Sequence, residues 1–463
     1  MTLGHRTPRL RAILASKAWP TCALIAGALL YSFRAGREVA SGSQALPLVT
    51  IGLLAAAMLL KNPIWGFYLT YPLFFLVPYA VLRLDLPFFN GPADVVSSLT
   101  LGIALARFVV QRRRLPSSAL YAPMAVCAGL LAIFAAIGHG PDTGWYLNRF
   151  VQGPWPFYLV ILLVETPRQA RNVLLALFVS VMTYVLRFLP TLLSTSRAAL
   201  QTGALLSLAR GMTGAWMTFQ VIALALIPLF ALALFSEQPR LRYLCGSIAV
   251  VGAFVVVGGT YLAAMLTLLI GIVAVLLLAA RQGWTPWRMS RMLLIVAVMA
   301  VTLRSPPGQF LLDRLLHPWE DLNISTRLGF SWIEGLRAFL ERPLVGWGGH
   351  LRSYVTPGGN VLDGHSSFIT AAYSFGLVFL APLFLLFWQV AQNFRRLLAR
   401  PLARAEKALL VGTLAVLVAY LIIGVIAGTL FEASQDCVLW SFVGLTVVWR
   451  DWLSQGSQSR IVA

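Results

Sequence analysis

The sequence predicts an all-α fold: a polytopic integral membrane protein of about 12–14 transmembrane helices. Three observations predict it. Of 463 residues 59% are hydrophobic and only 11% charged, with a mean hydropathy of +0.80; long apolar stretches recur from Trp19 to Val448; and basic residues alternate from loop to loop along the chain. An ordinary soluble domain is roughly 25% charged, so a water-soluble globule could not hide this much apolar surface. A bilayer core of about 30 Å needs about 20 mostly apolar residues per helix.

The apolar stretches place spans near residues 19–33, 45–60, 64–82, 93–110, 119–137, 154–164, 172–190, 214–235, 243–258, 261–279, 292–303, 366–391, 408–427 and 431–449. Arg6, Arg9, Arg11 and Lys17 precede the first span. With so many spans following, this basic segment reads as a retained cytoplasmic tail rather than a secretory signal. With the N-terminus inside, the cytoplasmic loops carry 22 of the 36 Lys and Arg and only four acids, Glu165, Glu237, Glu406 and Asp451. The outer loops hold 13 basic and 12 acidic residues, and Arg107 lies within a span. That asymmetry is the positive-inside pattern. It turns the net charge of +20 into a topology signal rather than a nucleic-acid footprint. The expected topology has both termini cytoplasmic.

The four cysteines, Cys22, Cys127, Cys245 and Cys437, are far apart and sit in or beside apolar segments. They read as small core residues, not as a disulfide framework or a zinc site.

The long connection is the one from Arg304 to His365, on the outer face. Loops of this length in compact folds usually carry function. The chain thus divides into an N-terminal bundle (1–303), an outer, periplasmic loop domain (304–365), C-terminal helices (366–450) and a cytoplasmic tail (451–463). Within the loop, Ser325 or Thr326 can cap an amphipathic helix running to Arg342. Leu328, Trp332, Leu336, Phe339 and Leu340 lie on one face; Glu334, Arg337 and Glu341 lie on the other; Pro343 ends it. Such a helix is expected at the membrane surface. Pro343-Leu-Val-Gly346-Trp347-Gly348-Gly349 follows, and then a polar run to Asp363-Gly364-His365, directly before the next span.

Ionisable groups at the outer ends of spans carry the candidate chemistry. His365 at a helix start can act as a general base, because that position disfavours the imidazolium; it can equally be an interfacial residue that only opens the span. Arg210 and Arg327 suit a phosphate or pyrophosphate, since a guanidinium donates two parallel hydrogen bonds and stays charged; for each, reaching toward lipid headgroups is the bland alternative. Arg149 shares their face, as do Arg34, Arg37 and Arg197, while His139, His317 and His350 are weaker candidates. Glu320-Asp321 lacks a third ligand at usable spacing, so no metal site is expected. Glu432 and Asp436, one turn apart at the start of the last span, read as an acceptor-orienting pair or as acids complementing a helix dipole, and the second fits better. No phosphate loop or dinucleotide fingerprint is present in the sequence.

Taken in order, Arg327-Leu-Gly-Phe-Ser-Trp332, then Glu341-Arg-Pro343-Leu-Val-Gly346-Trp-Gly348, then Asp363-Gly-His365-Ser-Ser-Phe368 with Gly376 beyond, resemble the O-antigen ligase and O-antigen polymerase superfamily. Close resemblance covers roughly 60 residues; the span number and long outer loop extend it loosely. It implies a GT-C-like membrane glycosyltransferase that takes glycans from a polyprenyl-pyrophosphate carrier. In that family a histidine activates the acceptor hydroxyl and arginines hold the pyrophosphate, with no metal and no cofactor, so His365 and Arg327 match directly. Arg210, in Leu208-Ala-Arg210-Gly211, resembles the family's mid-chain arginine. Two positions depart: Ser366 stands where asparagine is usual, and Thr260 is followed by Tyr261 where a further arginine often follows. Tyr261 can hydrogen-bond a phosphate or stack on a sugar. With Arg149 and Arg337 it completes the candidate substrate-binding set.

The implied partners are the lipid-linked glycan, a glycan or lipid acceptor, membrane lipids and a chain-length regulator. The span number favours polymerase over ligase. A polysaccharide transporter or lipid-glycan flippase is the competing class, for which Arg107, Pro228 and Pro382 are the marks to weigh; a non-catalytic scaffold is the third.

Overall fold

The computed structural model describes residues 62–76, 92–140, 142–194, 218–258, 261–283, 309, 312–313, 316–317, 332–349, 366–426 and 433–454. The expected spans 19–33, 45–60 and 292–303 lie outside the described residues. The regular elements among those described are helices, with no strand. In chain order they are α1 (Pro63–Leu76), α2 (Pro92–Val110), α3 (Tyr121–Ala136), α4 (Thr143–Gln152), α5 (Trp155–Leu163), α6 (Pro167–Ser194) and α7 (Thr218–Phe235). There follow α8 (Pro239–Gly258), α9 (Leu262–Arg281), α10 (Ile333–Glu341), α11 (Ser367–Leu398), α12 (Arg404–Ile426) and α13 (Ala433–Ser454). Six of them, α2, α6, α8, α9, α11 and α12, are long and apolar enough to cross a membrane; α3 and α7 are shorter apolar helices.

The centre is α7, whose residues from Phe219 to Phe235 are all buried. A helix apolar on every side has no face to give to water and must be surrounded. Its neighbours are α8, α9, α12 and α13. Three of them approach closely because each offers a glycine: a methyl group on Gly252, Gly271 or Gly412 would strike Leu226, Ile227 or Pro228. Small residues supply such contacts where lipid tails leave no hydrophobic drive between helices. Pro228 is thus packed on the backbone of α12, and Arg107 falls in the last turn of α2 rather than at mid-helix.

Many polar groups in this interior are paired. Thr70, Thr100, Ser180, Thr267 and Thr413 each donate to the carbonyl one turn earlier, which satisfies a hydroxyl without a partner helix. Between helices, the hydroxyls of Tyr71 and Ser441 lie 2.7 Å apart, and Asn393 Nδ2 donates to Thr446 Oγ1 at 2.8 Å. Cys127, Cys245 and Cys437 are buried thiols, as core residues should be.

At one end of the bundle Arg113 pairs with Glu165, Arg404 pairs with Glu237 at 3.3 Å, and Arg450 Nη2 donates to the Ser117 carbonyl. All of these belong to connections that the basic alternation assigns to a single face. The structure differs from expectation at one stretch. The span expected at 154–164 is α5, nine residues long, which at 1.5 Å per residue reaches only about 14 Å; it is a short core helix entered from α4 through Gly153-Pro154. In the outer loop, α10 packs through its small residues, Gly335 and Ala338, while Leu336 and Leu340 face outward. Gly335 lies against Ile369 and Tyr373 of α11, so the leucine face is left for a membrane surface.

Candidate functional site

His365, Arg210 and Arg327 lie outside the described residues, as do Glu320, Asp321, His350 and Glu432. What the structure describes is the helix that follows the first of them in the chain. Ser366, the next residue, is the N-cap of α11: its side chain accepts from the Ile369 amide at 3.4 Å. Ser366 and Ser367 are both buried.

This helix is not continuous. Gly376 has φ +66° and ψ −167°, a region essentially reserved for glycine, and the helix breaks there. Inside a regular helix the Leu377 and Val378 amides would donate to the Tyr373 and Ser374 carbonyls. Here the Pro343–Gly349 loop takes their place. Leu377 and Val378 donate to the carbonyls of Pro343 and Leu344 at 2.8 and 3.1 Å, while Trp347 and Gly348 donate to the carbonyls of Tyr373 and Ser374 at 2.7 and 2.8 Å. A broken helix is tolerated in an apolar surrounding only when its freed backbone groups are satisfied in this way.

The loop is held from its other side as well. Gly349 donates to the His139 carbonyl at 3.1 Å, and Asp142 donates to the Gly349 carbonyl at 2.7 Å. The amide of Gly349 also reaches Thr143 Oγ1 at 3.0 Å. At Gly348, with φ +95°, a Cβ would fall 2.6 Å from the His139 carbonyl oxygen. His139 Nε2 lies 2.9 Å from the Val345 carbonyl. Trp347 Nε1 donates to the Ala338 carbonyl at 2.8 Å, and the Arg342 guanidinium sits 3.8 Å over its ring. The turn-rich motif is therefore a plug between α10, α11 and the start of α4, and His139 belongs to its clamp. Beside it Tyr146 is buried, and that burial, then Tyr373 and Asp142, push its phenol far above the ordinary value of 10. It stays neutral and can serve only as a hydrogen-bonding group.

The remaining candidates fall on separate helices. Tyr261 is the N-cap of α9; its carbonyl accepts from Ala264 and Met265 at 3.1 and 3.2 Å, and its side chain packs against the small apolar cluster of Ala263 and Ile423. Arg149 is half-buried in the last turn of α4. Arg337 is exposed on α10 and paired with Glu334 at 3.1 Å. His317, also exposed, is paired with Asp313 at 3.1 Å.

Asp436 is the residue whose surroundings sequence reasoning missed. It is 3% exposed in the first turn of α13, and the Tyr420 hydroxyl of α12 donates to its Oδ1. Gly153 lies so close that a Cβ there would fall 2.4 Å from Oδ2. A small cavity of about 20 Å³, lined by Phe150, Pro154, Leu386, Tyr420, Asp436 and Trp440, opens beside it. This is a buried carboxylate held by a phenol across a helical hairpin, not merely an acid complementing a dipole. The 16-residue separation from Tyr420 carries no sequence signal. Tyr420→Phe removes a donor from that carboxylate, and the thermal midpoint in detergent should fall by an amount equivalent to about 1–3 kcal/mol; an unchanged midpoint would show that the contact carries no stability.

No model of a known protein family matches the chain, and comparison with curated proteins finds no match.

Proposed function

We propose that this chain is a glycosyltransferase of a bacterial inner membrane, with both termini cytoplasmic and the active site facing the periplasm. It moves a saccharide from a polyprenyl-pyrophosphate carrier to an acceptor hydroxyl, as an O-antigen or exopolysaccharide polymerase or an O-antigen ligase does. The observation that supports the reading is the docking of the Pro343–Gly349 loop into the break at Gly376. Motif residues carrying the family resemblance, separated along the chain, meet on the helix that begins two residues after His365.

The chemistry is a single displacement. The acceptor hydroxyl gives its proton to His365 as its oxygen bonds to the anomeric carbon; the bond from that carbon to the pyrophosphate oxygen breaks; attack from the opposite face inverts the configuration. Arg210 and Arg327 take up the charge developing on the departing polyprenyl pyrophosphate. The leaving group is already activated, so neither a nucleotide nor a metal is required. Tyr261, Arg149 and Arg337 are assigned to substrate binding. A chain-length regulator is the partner that a polymerase would take.

Reconstitution tests the assignment. Purified protein in proteoliposomes, supplied with polyprenyl-pyrophosphate-linked glycan and a glycan or lipid A core acceptor, should yield a new glycosidic linkage and free polyprenyl pyrophosphate. Movement of the lipid-linked glycan across the bilayer with no new linkage would overturn the enzyme reading in favour of a flippase.

A further inference from the structure

At the basic end of the bundle, the start of α1, the end of α2, the end of α5 and the start of α6 surround a polar cavity of about 60 Å³. Asn62, Arg107, Gln111, Arg113, Glu165 and Gln169 supply its polar lining. A void of this size holds more than one water, and its charges are unbalanced. Two guanidiniums enter it against a single carboxylate, and that carboxylate, Glu165, is already paired with Arg113. Arg107 is half-buried and makes no ion pair among the described residues.

Two helix N-termini add to the positive potential. At the start of α1, Asn62 Oδ1 accepts from the Ile64 amide at 3.4 Å. At the start of α6, Thr166 and Gln169 form a reciprocal cap: Gln169 Oε1 accepts from the Glu165 and Thr166 amides at 2.7 and 3.0 Å, and the Gln169 amide donates to Thr166 Oγ1 at 3.3 Å. The caps set the walls of the niche and leave the Arg107 guanidinium, with Gln111 one turn further on, to meet an occupant. Two guanidiniums against one carboxylate leave the lining net positive, which suits an anion.

The surroundings decide which anion. Outward from the same end of α2, Val109 and Val110 are 70% and 80% exposed, with Leu105 and Leu99 above them. A phosphate held at Arg107 would have an apolar helix surface beside it on which acyl chains can lie. We propose that this niche binds the phosphodiester of an anionic phospholipid from the leaflet at the basic end of the bundle, with Arg107 as its principal cation and Arg113 as the second. Basic residues at the cytoplasmic surface attract anionic lipids in general; the niche adds a shaped site to that attraction. It is independent of the glycosyltransferase reading.

The test uses the full chain in nanodiscs of phosphatidylglycerol or phosphatidylcholine, with retained lipid counted by native mass spectrometry after extraction. Wild type should keep phosphatidylglycerol in preference to phosphatidylcholine. Arg107→Gln should lower that retention about tenfold, the loss of one charge-assisted contact; Glu165→Gln, which frees Arg113, should raise it. A matching thermal midpoint for Arg107→Gln establishes that the fold is intact. Equal retention by wild type and Arg107→Gln would overturn the proposal, as would weaker retention in Glu165→Gln. Complete displacement of the lipid by inorganic phosphate would reassign the niche to the free anion.

Discussion

Gly376→Ala is expected to unseat the Pro343–Gly349 loop and to lower stability by roughly 3 kcal/mol or more, adding strain at a glycine-only conformation to overpacking. A Cβ at Gly376 would lie 2.3 Å from the Leu344 carbonyl oxygen and 2.6 Å from the Val345 nitrogen, and neither is the far end of a flexible side chain. The chain has one inexpensive escape. If α11 straightens, the Leu377 and Val378 amides can regain the Tyr373 and Ser374 carbonyls. The loop then loses its four backbone bonds to α11 and is held from the His139–Thr143 side, at Gly349. Two measurements follow the two halves of the argument. The thermal midpoint should fall, and residues 343–349 should become open to limited proteolysis. A variant as stable as wild type, with the loop still protected, would show that the break at Gly376 is not what seats it.

His365→Ala should reduce kcat for glycan transfer by about 10²–10⁴, the usual contribution of a positioned general base, with little change in KM for the lipid-linked donor. Donor affinity is assigned to Arg210 and Arg327, so removing the imidazole leaves ground-state binding nearly intact. The substitution spares Ser366, whose side chain caps α11; a folded, monodisperse variant is therefore expected, and a loss of rate can be read as a loss of chemistry. Arg327→Lys gives the contrasting signature, because an ammonium keeps the charge but not the two-pronged geometry: KM for the donor should rise more than kcat falls. Transfer at the wild-type rate by His365→Ala would remove the histidine from the mechanism and leave only the membrane architecture.

Much of the architecture is legible in the residues. The apolar stretches that fall on described residues coincide with helices, and the connections grouped by their basic charge do meet at one end, through Arg113 with Glu165, Arg404 with Glu237 and Arg450 with Ser117. Hydrophobicity and loop charge are one-dimensional properties, and a membrane reads them nearly residue by residue. What they do not reveal is how each stretch is built. Residues 154–164 look like a span of their own and form only the nine-residue helix α5, which continues from α4 through Gly153-Pro154, because burial by neighbouring protein and burial by lipid demand the same apolar side chains. The leucines of α10 are exposed, as a helix on the membrane surface requires, but which residues would dock it on α11 was not legible: Gly335 and Ala338 make the contact, because close approach of two helices is set by backbone separation, for which small residues matter more than large ones.

The candidate site divides in the same way. Residue type and order singled out His365, Arg327, the glycines after Pro343 and Gly376, since chemistry and backbone freedom belong to individual residues. Only the tertiary structure decided that those glycines seat a loop inside a broken helix, that His139 clamps the loop, and that Asp436 is buried against Tyr420. Each of these is a long-range pairing of backbone or polar groups. Such pairings arise because an apolar surrounding leaves no water to satisfy a freed amide, carbonyl or carboxylate, and the identity of the partner depends on where the whole bundle places the chain.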